Sequence, residues 1–464
     1  MNPRILREYD IRGNAETDLT DAEVRAIGRA IAEAAQSGTV VVGRDCRLSS
    51  PRIFNALTAG LRALTDVIDI GIVPSPVAYF AQQHFRSAAT VMITGSHNPG
   101  EDNGFKIMIG DETLHGEAIK RLGQRPQELV VHNVAPWWGQ AARSVSEAYI
   151  AKAVSSLQLG TRRLKVVVDA GNGAGGPTAV ALYTELGFDV VPLYCTFDGN
   201  FPNHHPDPTQ PENLFALTNA VLELGADLGI AFDGDADRIG AVDDTGRIVW
   251  GDQLMILFGK AILEEVPDAT FVAEVKCSQV LYDALPSCEM WKVGHSLIKE
   301  RLRVTGAQLA GEMSGHLFFA HRWMGFDDGI YAGARLLELL SRSDRAFSDL
   351  VSEIPAAINT PEIRVPCDDD QKFEIVTRVT ASLRDDPTVE DVVTIDGARA
   401  RFADGWGLVR ASNTQAALVV RCEAKDRLAL MRIQKTINTH VSVARGYRRM
   451  DLEVSPPDHA IKAQ

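Results

Sequence analysis

Leu164-Lys165-Val166-Val167-Val168-Asp169 is an apolar run closing on a carboxylate, and a helical stretch near Pro177 to Leu186 follows it. The same scheme occurs twice more. Thr39-Val40-Val41-Val42-Gly43-Arg44-Asp45 precedes a helical stretch near Pro51 to Leu64, and Thr270-Phe271-Val272-Ala273-Glu274-Val275-Lys276 precedes one near Gln279 to Leu285. Unbroken apolar strands alternating with amphipathic helices predict parallel or mixed sheets covered by helices. Three similar α/β units in a row are the simplest reading, although identity among them is low. The pattern then changes. Val389 to Asp396, Arg399 to Phe402, Gly407 to Ala411 and Ala416 to Cys422 read as short strands before a helix from about Lys425 to Val441. Strands clustered ahead of a helix predict an α+β unit. The acidic run Cys367-Asp368-Asp369-Asp370-Gln371 reads as solvated linker, and the tail Ser455-Pro456-Pro457-Asp458 as disordered.

Chemistry concentrates in four segments. Thr94-Gly95-Ser96-His97-Asn98-Pro99 follows the strand-like Ala88 to Ile93, which puts the Ser96 hydroxyl on a tight turn at a strand's exit. Alone it could be an ordinary polar turn. Asp233-Gly234-Asp235-Ala236-Asp237-Arg238 follows the strand-like Leu228 to Phe232. Three carboxylates spaced by two can converge on a hard cation such as Mg²⁺ or Ca²⁺. Arg238 and Asp244 stand where a calcium loop would need Gly and Glu, so that loop is disfavoured. An aspartyl-phosphate phosphatase with Asp233 as nucleophile is a minor alternative. An uncompensated acidic surface loop is the plain one, opposed by its own charge repulsion.

Gly311-Glu312-Met313-Ser314-Gly315-His316 offers an acceptor, a hydroxyl and an imidazole suited to a polyhydroxylated ligand, or simply a satisfied polar turn. Arg410-Ala411-Ser412-Asn413-Thr414 makes a candidate phosphate cradle. Gly171-Asn172-Gly173-Ala174-Gly175-Gly176 matches a dinucleotide fingerprint, but such matches are common and a glycine turn for tight strand-to-helix packing is the better reading. His84, His132 and His440 stand outside any motif and read as structural.

The 464 residues suffice for about three or four domains. A net charge of −14 argues against non-specific nucleic-acid binding, while leaving room for an anionic small molecule held by local Arg and Lys. No apolar run approaches the ~20 residues that span a bilayer, and the first residues lack a signal peptide's apolar core. Six scattered cysteines without a CxxC pair suggest reduced thiols. The expected home is the cytoplasm.

Together these residues closely resemble the α-D-phosphohexomutase superfamily, and within it the bacterial bifunctional phosphomannomutase/phosphoglucomutase group. Glu8-Tyr9-Asp10-Ile11-Arg12-Gly13, Asn203-His204-His205-Pro206-Asp207-Pro208 and Gly294-His295-Ser296-Leu297-Ile298-Lys299 add to the four segments, so the resemblance covers nearly the whole chain. It implies three related α/β domains (residues 1–143, 144–247 and 248–356) and a C-terminal domain (357–464) resembling the TATA-binding protein, set around a central cleft. It implies reversible interconversion of hexose 1-phosphate and hexose 6-phosphate, of mannose, glucose or both, through a phosphoserine and a hexose 1,6-bisphosphate.

Ser96 would carry the phosphate, and would bind Mg²⁺ with Asp233, Asp235 and Asp237. Glu312 and Ser314 would read sugar hydroxyls with His316 beside them. Arg410, Ser412, Asn413 and Thr414 would hold the other phosphate. Lys106 matches a proton-transfer position, Arg12 and His295 other active-site positions, and His97 and Arg238 the phosphoserine's surroundings. A phosphoglucosamine mutase and a sugar-phosphate phosphatase are the alternatives, although Glu-Met-Ser at 312–314 resembles the mannose/glucose group. The family's phosphate loop commonly runs on into a proline, where this chain has Gln415-Ala416. Sugar phosphates are the expected partners, with no nucleic acid and no membrane, and the expected state is a monomer, with a dimer as the other option.

Overall fold

The computed structural model describes residues 2–36, 38–124, 141–413 and 415–446. It divides into two compact units, Met1–Ile354 and Pro355–Gln464. Among the described residues no helix is long and apolar enough to cross a membrane.

The first unit carries three sheets built on one plan. In the first, β1 (Ile11–Asn14) is followed by α1 (Asp21–Ala34), β2 (Val40–Arg44), α2 (Ser50–Leu61), β3 (Val67–Ile72), α3 (Ser75–Phe85), β4 (Ala89–Ile93), β5 (Asp102–Ile109), β6 (Glu112–Thr113) and α4 (Gly116–Gly123). The strand order is β1-β5-β4-β2-β3. β2 lies parallel to β3 and β4, while β5 runs antiparallel to β4. β2 and β4 are almost wholly buried, as expected of strands covered on both faces. Thr20 starts α1 by accepting the Glu23 amide N–H, and Asp21 and Glu23 lie in its first turn, where acidic side chains suit the helix dipole.

α5 (Ala141–Ser156) runs across the expected 143/144 division, and from Val145 onward its buried side chains join a core shared with the second sheet. That sheet comprises β7 (Lys165–Asp169), α6 (Gly176–Glu185), β8 (Asp189–Leu193), α7 (Phe215–Leu224), β9 (Leu228–Phe232), β10 (Ile239–Asp243) and β11 (Ile248–Val249), in the order β11-β10-β9-β7-β8. The third follows α8 (Gly251–Glu265) with β12 (Phe271–Glu274), α9 (Gln279–Ala284), β13 (Cys288–Trp291), α10 (His295–Thr305), β14 (Leu309–Gly311) and β15 (Leu317–Phe319), ordered β13-β12-β14-β15. α11 (Gly329–Ser341) then starts on Asp328, whose carboxylate accepts the Tyr331 amide N–H.

The three sheets therefore share a core of three parallel strands with a fourth antiparallel at one side. In each, the turn from the third to the fourth strand leaves the carboxyl edge of the parallel set, where open α/β sheets bind ligands. Those three turns hold Ser96, the Asp233 triplet and Glu312.

The second unit pairs β16 (Ile358–Asn359) and β17 (Ile363–Pro366) with a long strand, and α13 (Lys372–Arg384) precedes β18 (Asp391–Val393), β19 (Ala398–Phe402), β20 (Gly405–Ala411), β21 (Ala417–Ala424) and α14 (Arg427–Ala444), α12 (Phe347–Ser352) having ended the first unit. Ile375, Val379 and Leu383 of α13 and Ile433 and Ile437 of α14 share a core with the β18–β21 meander. Cys367 to Gln371 is not a linker. It is the turn from β17 into α13, where Asp369 accepts an ion pair from buried Lys372 at 2.6 Å. The tail from 455 to 458 lies outside the described residues.

Candidate active site

Ser96 leaves β4 with φ +49°, a left-handed backbone that costs a non-glycine residue about 1–2 kcal/mol. Its amide N–H donates to Thr94 Oγ1 at 2.8 Å, and its hydroxyl donates to Asp233 Oδ2 at 2.6 Å. Gly234 must be glycine: a Cβ there would lie 2.3 Å from the Ser96 carbonyl oxygen. The serine turn of the first sheet thus packs directly on the acidic turn of the second.

Asp233, Asp235 and Asp237 are all buried, and one oxygen of each lies within 4.8 Å of the others. Asp235 Oδ2 accepts the Ser75 hydroxyl at 2.5 Å and the Lys106 ammonium at 2.6 Å, while Asp235 Oδ1 makes no hydrogen bond. Lys106, on β5, also donates to Asp237 Oδ2. Burial works against the lysine's charge, but Asp235, Asp237 and Asp233 outweigh it and raise its pKa. Burial together with Asp237 and Asp235 pushes the Asp233 carboxyl well above the ordinary carboxylate range. Converging hard oxygens, two of them (Asp235 Oδ1 and Asp237 Oδ1) without a hydrogen bond, fit a divalent cation.

The third turn closes on the second through backbone. Ile239 N–H donates to Gly315 O at 3.0 Å, beside a bridge between Arg238 and His316. Glu312 accepts the Gly294 amide N–H at 2.7 Å and pairs with His316 Nδ1 at 2.6 Å, and the Ser314 hydroxyl donates to it at 3.2 Å. Burial opposes the charge on Glu312, yet His316 and Lys276 bring its pKa down to about 2. Burial likewise opposes charge on His316, but Asp237 and Glu312 raise it to about 9. His316 Nε2 lies 3.4 Å from Asp237 Oδ1 and 3.2 Å from Arg238 Nε. A charged ring forms an ion pair with Asp237; a neutral one accepts from Arg238.

His295, at the start of α10, stacks on His316 with ring centroids 5.7 Å apart and pairs with Asp327 at 3.2 Å. Burial, Lys106 and His316 lower its pKa despite Asp327. His97 Nδ1 lies 3.1 Å from Ser96 Oγ, and burial with Arg238 and Arg12 pushes that ring's pKa well below the ordinary imidazole value. Arg12 donates to Asn98 at 2.6 Å in the serine turn.

Every site residue expected in the first unit is therefore joined to the others by contact. In the second unit, buried Arg410 on β20 pairs with Asp396 at 3.1 Å. Ser412 Oγ accepts the Gln415 amide N–H at 3.1 Å, and Lys372 donates to the carbonyls of Ser412 at 2.6 Å and Gln415 at 3.3 Å. Asn413 is partly buried, and Thr414 lies outside the described residues. At the departure from the family pattern, the Gln415 side chain accepts from Arg364 at 2.9 Å.

The structure also places groups whose roles the sequence reading left unassigned. Asp327 is wholly buried between His295 and Lys299, and Lys276 is buried beside Glu274. The glycine turn 171–176 packs on the acidic loop, with Ala174 N–H donating to Gly234 O at 2.9 Å. His84 stacks on Phe80, and His440 bonds Ser382 and Asp386; His132 lies outside the described residues.

Four family models match the chain in order: phosphoglucomutase/phosphomannomutase alpha/beta/alpha domain I over residues 3–124, domain II over 147–246, domain III over 250–358 and the C-terminal domain over 362–440. The chain belongs to the phosphoglucomutase/phosphomannomutase family. A phosphomannomutase/phosphoglucomutase of Pseudomonas putida is 45% identical over 447 residues, covering 94% of this chain and 95% of the relative. The crystal structure of a phosphoglucomutase/phosphomannomutase family protein from Burkholderia thailandensis superposes with a TM-score of 0.85 at 39% identity, over 96% and 98% of the two chains. An Aspergillus fumigatus N-acetylphosphoglucosamine mutase, solved with GlcNAc-6P and magnesium, shares the fold at a TM-score of 0.60 and 15% identity, over 96% and 97%.

Proposed function

We infer that this chain is a phosphohexomutase, an isomerase that moves a phosphoryl group between the 1- and 6-oxygens of a hexose through a phosphoserine and a hexose 1,6-bisphosphate. The observation that carries the reading is the Ser96 hydroxyl, 2.6 Å from Asp233 of a buried carboxylate triplet whose loop bonds the Glu312 turn through Ile239 N–H and Gly315 O. Phosphoryl transfer asks a protein mainly for positioning and charge stabilisation.

In the first half-reaction the bond from phosphorus to Ser96 Oγ breaks as one to a hydroxyl of the sugar monophosphate forms, and a proton passes in exchange from that hydroxyl to the freed Ser96 Oγ. Lys106 is assigned to that proton traffic. The bisphosphate then turns within the site and the other phosphate returns to Ser96. Asp233, Asp235 and Asp237 would hold Mg²⁺ with the phosphoserine; bound there, the ion offsets charge on the transferring oxygens. Glu312, Ser314 and His316 orient the sugar hydroxyls, Arg12, His97, His295 and Arg238 line the reacting end, and Arg410, Ser412, Asn413 and Thr414 bind the other phosphate. Mannose and glucose phosphates are both assigned as substrates. The enzyme is assigned as a monomer, with a dimer as the other option, in the cytoplasm, a location in keeping with six cysteines none of which is in a disulfide.

A coupled assay primed with glucose 1,6-bisphosphate should convert glucose 1-phosphate to glucose 6-phosphate, and mannose 1-phosphate likewise, without net release of inorganic phosphate. Stoichiometric phosphate release would identify a phosphatase instead, and turnover of glucosamine phosphates alone would identify a phosphoglucosamine mutase. Arg410→Ala should raise KM for either sugar phosphate by about 10–100-fold, the worth of a charge-assisted contact. An unchanged KM would place the non-transferring phosphate elsewhere.

A further inference from the structure

The first sheet contains a buried guanidinium that the chemistry above does not use. Arg47 follows β2, is 1% exposed, and packs against the serine turn. Its NH2 group donates to the carbonyls of Ser96 at 2.8 Å and Asn98 at 2.6 Å. Its NH1 group donates to the carbonyls of Pro99 at 2.5 Å and Asp102 at 3.0 Å. Nε faces Asp45 Oδ2 at 3.2 Å. An arginine carries five N–H donors in a rigid fork; here the two terminal nitrogens donate to four carbonyls, most of them on one turn, while Nε makes an ion pair with Asp45 and no hydrogen bond.

Asp45 completes the grip. Its Oδ2 accepts the Gly95 amide N–H at 3.1 Å and its Oδ1 accepts the Arg47 amide N–H at 3.1 Å. A Cβ on Gly95 would lie 2.5 Å from Arg47 Cζ, so the guanidinium occupies the only space a side chain there could take. From the segment between β8 and α7, the Phe201 ring covers the guanidinium at 5.3 Å.

The third sheet repeats the arrangement at the same topological place. Glu274 ends β12, accepts the Lys276 amide N–H at 2.7 Å, and accepts the Met313 amide N–H of the Glu312 turn at 3.2 Å. An acid at the end of the central strand, with a base two residues on, supports the functional turn in both sheets. Only Arg47 has the fork to hold several carbonyls at once.

We propose that Arg47, oriented by Asp45, is a positioning residue that fixes Ser96 in its left-handed conformation with Oγ aimed at the carboxylate triplet. It touches no reacting atom. Four carbonyls drawn to one cation hold a backbone turn that its own residues would relax, since a serine at φ +49° is strained. The inference rests on Ser96 being the phosphoryl carrier.

The test compares Arg47→Lys and Arg47→Met with the wild type, reading kcat, KM and the rate at which glucose 1,6-bisphosphate phosphorylates Ser96, followed by intact mass. Misplacing a reacting group by about 1 Å costs on the order of 10²-fold, so Arg47→Met should lose about that much in both kcat and phosphorylation rate, with KM changed less than about 3-fold. Arg47→Lys, with its point charge, should fall between. Thermal unfolding verifies that each variant is folded; if Arg47→Met is not, the lysine variant decides. A folded variant with wild-type kcat, or a loss confined to KM, overturns the proposal. Ser96→Ala in the same mass experiment separates the two claims: wild type that takes up no phosphoryl group refutes the carrier reading whatever Arg47 does.

Discussion

Ser96→Ala is expected to lower mutase kcat by about 10³-fold or more, because a covalent carrier has no substitute within its site. The variant should still fold. It loses a hydroxyl bond to Asp233 worth about 1 kcal/mol and keeps a left-handed backbone as strained for alanine as for serine. The substitution therefore separates chemistry from architecture. Incubation with glucose 1,6-bisphosphate should add one phosphoryl mass to the wild type and none to the variant. A variant with full turnover would eliminate the phosphoserine route.

The loops to which this chemistry is assigned stand out in the sequence because their composition is unusual for their setting. Three carboxylates in five residues, or a serine between glycine and histidine after a buried strand, have few uses in a plain turn. The thrice-repeated strand and helix was equally legible, since β2, β7 and β12 are buried on both faces and read as unbroken apolar runs. Element ends shifted by one to three residues, as helix and strand termini do.

Arg47 was not legible. In Arg44-Asp45-Cys46-Arg47-Leu48-Ser49-Ser50 it looks like one polar residue among several, and its partners lie about 50 residues further along the chain. Asp327 and Lys276 are hidden for the same reason: a buried charge is defined by tertiary neighbours that no local pattern names. α13 escaped differently. Ile375, Val376, Thr377, Val379 and Thr380 are β-branched, which weakens a helical reading, and packing of Ile375, Val379 and Leu383 on the meander decides the matter.

Removal of divalent metal should abolish turnover reversibly, and Asp235→Asn should raise the Mg²⁺ concentration for half-maximal activity by at least about 10-fold. The physical ground is the cost of the triplet itself. Two charged carboxylates about 5 Å apart repel by roughly 3 kcal/mol at an effective dielectric constant of ~20; with all three ionised the triplet would contain three such pairs, and burial together with this repulsion is what pushes the Asp233 carboxyl up. Lys106 offsets part of that charge through Asp235 and Asp237, but the Asp235 oxygen Oδ1 remains without a hydrogen bond. A phosphate on Ser96 would add up to about two further negative charges beside Asp233, which the lysine alone does not balance. A divalent cation bound by the carboxylates and the phosphoserine balances them, so the metal requirement should be sharper for the phosphorylated enzyme than for the free one. Calorimetric titration of Mg²⁺ into both forms measures that difference. Equal affinities, or Asp235→Asn with an unaltered Mg²⁺ requirement, would show that the triplet serves Lys106 rather than a metal.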